Sequence, residues 1–121
     1  MRDYTKIQAW QLADDLTVAV YAASRAFPKE EGHGLTAQLR RAAYSVPANI
    51  AEGSARDSQR DYLRFLYIAR ASLTETQYFV HLSKRLEYLT GVRHEGLAAQ
   101  IKSVFQRLHG LITAVERESR L

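Results

Sequence analysis

Between Gln38 and Gly53 the chain reads QLRRAAYSVPANIAEG, a run whose apolar residues keep helical spacing on both sides of a proline. Leu39, Ala42, Ala43, Val46 and Ile50 recur at three- and four-residue steps, one face of a helix spanning about Thr36 to Ser54. Pro47 lacks the N–H of an ordinary helical residue, and its ring crowds the carbonyl of Ala43. The apolar pattern continues past it, so the spacing predicts a kink rather than a stop. A mid-helix proline costs about 3 kcal/mol relative to alanine. Such a helix needs neighbours to hold it, and Gly53 is a natural place for it to end.

The rest of the chain supplies those neighbours. A first helix is expected from Thr5, where Thr5 and Gln8 match a capping box, to the Phe27-Pro28 step. Its stripe is Trp10, Ala13, Leu16, Thr17, Val20, Tyr21 and Ser24. The KEEGHG segment, Lys29 to Gly34, reads as a surface turn. A third and longest helix is expected from an N-cap at Ser58 to a C-cap at Gly91, on the order of 45 Å. It carries two apolar seams. Tyr62, Leu66, Ala69, Leu73, Thr76 and Val80 form one, and Phe65, Ile68, Phe79, Leu82, Leu86 and Leu89 the other. A lone small bundle uses about one stripe per helix, so the second seam implies a further contact, most simply with another subunit. A fourth helix, about His94 to Arg120, has a heptad in Leu97, Ile101, Val104, Leu108, Leu111 and Val115. His94 and Glu95 open it. The expected fold is all-α, a single domain over residues 1–121: an antiparallel up-down-up-down four-helix bundle with a proline-kinked second helix and a long third helix.

Charge narrows the partners. The net charge of +4 leans toward an acidic partner. Acids are missing between Glu31 and Glu52, between Asp61 and Glu75, and between Glu95 and Glu116. With no cysteine, disulfides, thiolate metal sites and cysteine nucleophiles are excluded. No apolar run approaches the roughly 20 residues of a membrane span and no signal-peptide core opens the chain, so no membrane partner is expected and the cytoplasm is the default compartment. His33, His81, His94 and His109 have no ligand-type partner at i+4, and no HExxH or Glu-x-x-His pattern occurs. The expectation is no catalytic residue, no metal, no cofactor and no enzyme.

Two surface patterns remain. Arg56, Arg60 and Arg64 lie at i+4 steps near Tyr67, a ladder that would suit phosphates and a stacked base. The favoured reading is a solvated face, because Asp57 and Asp61 can pair with Arg60 and Arg64 at i+3. On the Pro47 helix, a rotation of about 100° per residue directs Arg41, Ser45, Ala48 and Glu52 away from the core. Small residues between opposite charges would let a neighbouring subunit approach, with Arg41 and Glu52 pairing head to tail in a ring. A solvated face with Glu52 bridging to Arg56 explains much of the same pattern.

IQAWQLA at Ile7 to Ala13, Phe27-Pro28, GLTAQLRRAAYSVPANIAEG at Gly34 to Gly53, and RFLYIARASL at Arg64 to Leu73 together resemble a known family. These are the four-helix-bundle proteins first noticed as products of intervening sequences within bacterial 23S ribosomal RNA genes. The family is also similar to the accessory variability determinant of diversity-generating retroelements. The resemblance implies a bundle assembling as a cyclic homo-oligomer, usually a pentamer, with no established enzymatic activity and with suspected nucleic-acid binding. Its signature falls on Arg40, Arg41, Ser45, Asn49, Glu52 and Gly53, to which it assigns no agreed chemical role. Ala71 stands where members commonly have glycine, and the following acids are thinned to Glu75 with Gln77.

Two function classes follow. In the first, a ring binds RNA or DNA through phosphates, with Arg40, Lys84, Arg85, Lys102 and Arg107 as candidate contacts from the acid-poor stretches. Five copies at +4 each would carry about +20. In the second, the ring is a scaffold or adaptor for a protein, such as an enzyme that itself handles nucleic acid.

Overall fold

The computed structural model describes residues 2–120 and consists of four α-helices: α1 (Gln8–Ser24), α2 (Leu35–Ser54), α3 (Gln59–Arg85) and α4 (Gly91–Ser119). Short turns join them, so successive helices run antiparallel, and α4 closes back on α1. The expected stripes meet in the middle. Leu16, Val20, Leu39, Val46, Ile50, Leu66, Leu73, Ile101, Val104 and Leu108 are sealed from solvent. No helix among the described residues is long and apolar enough to cross a membrane.

Helix α2 runs through Pro47, and the neighbour that steadies it is identifiable. Proline leaves the Ala43 carbonyl without its intrahelical donor, and the Thr17 hydroxyl of α1 lies 3.2 Å from that oxygen. The same hydroxyl is 2.9 Å from the Ala13 carbonyl, so one proton serves two acceptors.

Helix ends differ from the sequence expectation at three places. Thr5 does not cap α1. Asp3 instead caps a 3-10 turn over Tyr4–Lys6, accepting from the Thr5 N–H at 3.0 Å, and α1 starts only at Gln8. Helix α2 ends at Ser54, as the spacing predicts, and Gly53 just before it is more than a stop signal. It stays helical and buried, because a Cβ there would stand 2.8 Å from Phe65 Cβ and 3.0 Å from Tyr62 Cδ1. Its role is to let α3 approach. Gly91 does not close α3, which stops at Arg85 with Glu87 in the left-handed region at φ 63°. The Tyr88 N–H then reaches the Ser83 carbonyl at 2.9 Å, as in a Schellman closure. Gly91 instead opens α4 behind an N-cap at Thr90, three residues before His94. At 29 residues α4 is longer than α3 at 27, so the third helix is long but not the longest.

Two clasps fix the ends of the bundle. Arg2 donates to the Ser54 and Arg56 carbonyls at 3.2 and 3.0 Å and lies over the Tyr62 ring, with Gln59 as a further partner. At the other end Glu31 accepts from the Tyr88 hydroxyl at 2.9 Å and from the Leu35 N–H at 3.3 Å. These contacts satisfy groups that helix termini otherwise leave open.

Candidate functional site

The signature stripe lies where α2 meets α3. Arg41 Nη2 is 2.7 Å from Glu75 Oε2, and its Nε donates to Gln38 Oε1 at 3.2 Å. One turn on, the Ser45 hydroxyl donates to the Arg41 carbonyl at 2.7 Å, and Asn49 Nδ2 donates to the Ser45 carbonyl at 2.7 Å. Both bonds stay within α2, so these polar side chains tie no other helix. Glu52 pairs with Arg56 at 3.0 Å, the i+4 bridge that the sequence offered as one alternative. Arg56 and Arg64 then converge on the Phe65 ring at 4.6 and 4.5 Å, and Asp61 holds Arg64 at 3.5 Å. Arg41 and Glu52 therefore each have a carboxylate or guanidinium partner in their own chain, and Ala48 is exposed between them.

Arg40, the other signature arginine, turns the opposite way. Its Nε donates to the buried Ser24 hydroxyl at 2.8 Å, and its guanidinium lies 4.6 Å from the Tyr21 ring centre. A further N–H reaches the Tyr21 carbonyl at 3.4 Å. Arg40 thereby brings a positive charge to the carbonyl end of α1, where Arg25 is the C-cap.

The five candidate phosphate contacts do not form one cluster. Arg40 is engaged between α1 and α2, while Lys84 and Arg85 stand exposed in the last turn of α3. Lys102 is exposed on the side of α4 directed toward α3, and Arg107 is exposed on the side directed toward α1, beside Ile7 and Gln8. Sequence reasoning missed Arg70 and Arg120. They flank Tyr67 on the outer α3/α4 seam, where Tyr67 donates to Glu116 Oε2 at 2.7 Å and Arg70 covers its ring at 5.1 Å. The hydrogen bond to Glu116 raises the Tyr67 pKa above its ordinary value, with desolvation next, while Arg70 and Arg120 oppose the shift. The i+3 spacing of Tyr67 and Arg70 was a readable signal; Arg120 is 53 residues from Tyr67 and gave none. In the Arg56, Arg60, Arg64 ladder, Arg56 and Arg64 have the acidic partners just described.

The second apolar seam of α3 is only partly covered. Phe65 is buried and Phe79 and Leu82 are half-buried, but Ile68 and Leu86 remain 40% and 44% exposed. Among the described residues no three His, Cys, Asp or Glu side chains gather as a metal site would require.

A predominantly basic, all-α, up-down bundle with an arginine-rich signature on its second helix is the class that this geometry defines. The chain belongs to the 23S rRNA-intervening sequence protein family, whose model matches residues 5–110. Its fold is similar to a protein of unknown function from the S23 ribosomal protein family of Bacteroides thetaiotaomicron. The TM-score is 0.77 at 23% identity, over 86% of this chain and 97% of that one. No curated protein matches the sequence.

Proposed function

We propose that the protein is a non-enzymatic, cyclic homo-oligomer, with five copies the number its family resemblance implies, that binds RNA or DNA through phosphate contacts. The observation that carries this reading is the set of exposed cations left without a carboxylate partner among the described residues. The ion pairs of the described residues engage Arg41, Arg56 and Arg64, all on the α2/α3 side. Lys84, Arg85 and Lys102 have no carboxylate partner there, and α4 carries no acid between Glu95 and Glu116. Repetition around a ring multiplies that free charge, which is how a modestly basic subunit becomes a phosphate binder. Such binding follows the backbone and does not read sequence. Support for the ring comes from Ser45 and Asn49, small polar residues that serve no contact between helices, and from the uncovered Ile68 on α3.

The test is fluorescence anisotropy of labelled structured RNA and duplex DNA, with protein stripped of nucleic acid, at several salt concentrations. Micromolar or tighter binding is expected near physiological salt, with a steep negative log–log slope that lessens by about one for each phosphate-contacting lysine removed, as in Lys102→Ala. Absence of binding at low salt would overturn the nucleic-acid reading. A second reading, an adaptor ring for a protein, is favoured by exposed Tyr78 and Leu86 at the end of α3. Partner binding of that kind would be nearly indifferent to salt.

A further inference from the structure

Toward its C-terminal end α3 carries an open hollow of about 350 Å³. Tyr78, His81, Leu82, Arg85 and Leu86 line it, at the three- and four-residue steps that keep side chains on one face of a helix. Tyr78 is 55% exposed, the most exposed aromatic side chain described. Several other tyrosines are engaged. A guanidinium lies over the rings of Tyr21, Tyr62 and Tyr67, and the hydroxyls of Tyr67 and Tyr88 donate to Glu116 and Glu31. Tyr78 has neither kind of partner among the described residues. Phe79 and His81 stand beside its ring, tilted by 55° and 37°, and neither is stacked on it. No carboxylate lines the hollow. Glu75, three residues before Tyr78, is held by Arg41 at 2.7 Å, whereas Lys84 and Arg85 are exposed without an acidic partner among the described residues.

We infer that this hollow takes an unpaired nucleobase of single-stranded RNA or DNA, with the base stacked on Tyr78 and the adjoining phosphate held by Arg85. The inference rests on the nucleic-acid reading above and narrows it from any phosphate backbone to a strand with free bases. A paired base is already stacked between its neighbours in the duplex and has no face to offer. An unpaired base does, and an open aromatic ring beside a cation is the combination that binds single strands without regard to sequence. Side chains on a helix lean toward its N-terminus, so Arg85 leans back over the hollow toward Tyr78. His81 offers an N–H in either protonation state, a donor for a base or phosphate oxygen. Charge selects the occupant. An apolar side chain of a protein would also rest on Tyr78 and Leu86, but it would desolvate Arg85 with no anion to compensate.

The test titrates the full-length protein, stripped of nucleic acid, against fluorescein-labelled oligouridylate, either single-stranded or annealed to oligoadenylate. Phosphate contacts alone favour the duplex, which releases about 0.9 counterion per neutralised phosphate against about 0.7 for a single strand. Tyr78→Ala is expected to weaken single-strand binding about tenfold, the size of one base–aromatic stack, and to change duplex binding by less than about twofold. The salt slope should stay the same, because no charge is removed. Tyr78→Trp should keep the single-strand affinity, and its new indole emission should be quenched by the single strand and not by the duplex. Arg85→Ala should weaken both forms and lower each salt slope by about one. Tyr78 is exposed, so its truncation spares the core, and urea unfolding of the variant checks this. Tyr78→Ala that shifts both forms alike, or neither, overturns the stacking site while duplex binding upholds the phosphate reading, and the hollow then passes to a protein partner. Failure of both forms to bind the parent at low salt overturns the two readings together.

Discussion

The α2/α3 seam and the α1/α4 seam are built from the same four helices and use glycine in opposite ways. At the first, Gly53 is buried because Phe65 and Tyr62 occupy the space its side chain would need, and the Arg41–Glu75 bridge crosses above. At the second, Gly96 and Gly110 stand beside empty space, and no side-chain hydrogen bond or ion pair between described residues of the two helices spans the seam. A glycine that another helix has already approached is explained by the subunit's own packing. A glycine beside open space only lowers helix propensity, and the subunit's own packing does not explain it. The difference teaches where this chain is finished and where it is not.

Alanine substitution breaks or sharpens the contrast most strongly. Gly53→Ala should destabilise the subunit by about 2 to 3 kcal/mol, since the obstructing atoms are a Cβ and a ring pinned in the core rather than a flexible tip. Gly96→Ala and Gly110→Ala should each stabilise the isolated subunit by about 0.5 to 1 kcal/mol. Urea unfolding at low protein concentration reads all three. The same sign at Gly53 and Gly110 would show that the two seams are not opposites.

The next effect lies between the two seams, where the proline-bearing α2 leans on α1. Thr17→Val keeps the shape but removes the proton offered to the Ala43 carbonyl, which Pro47 has already deprived of its ordinary donor. The expected loss is about 1 to 2 kcal/mol, the penalty for a buried acceptor left unmade. In a Pro47→Ala background the restored backbone N–H takes over, and the cost of Thr17→Val should fall toward zero. A double-mutant cycle measures the coupling; additive effects would mean that the hydroxyl does not substitute for the missing donor.

What the sequence disclosed follows the range of each interaction. Stripes such as Leu97, Ile101, Val104 and Leu108 are local, repeat every turn, and identified the core faces of all four helices. Glu52–Arg56 and the Ser58 cap were readable for the same reason, one turn of separation. The misplaced ends have the opposite cause. Gly91 looks like a terminator until Glu87 is seen to accept the left-handed conformation itself, and Gly53, correctly near the end of α2, hides its packing against Phe65 and Tyr62 until α3 is in place. The face carrying Arg41, Ser45, Ala48 and Glu52 was correctly turned outward from the core, but its 34-residue link to Glu75 was invisible to any helical period. Arg40 reads as a candidate phosphate contact because it stands in an acid-poor stretch, and its engagement with Ser24 and Tyr21 crosses to a different helix, which no local pattern reveals.

The smallest expected effect is the one that bears most on the signature. Arg41 and Glu75 are 42% and 41% exposed, so water and salt screen their attraction, and Arg41→Ala or Glu75→Ala should cost the subunit no more than about 1 kcal/mol. A residue worth so little to the fold has room for a second role, and the two roles separate by measurement. Urea unfolding should hardly distinguish Arg41→Ala from the parent, while sedimentation should show the proposed ring falling to smaller species if Arg41 also reaches a neighbouring subunit. Arg41→Ala that unfolds early and assembles normally would place the whole value of the residue inside the chain. The α2/α3 seam would then be finished on its own.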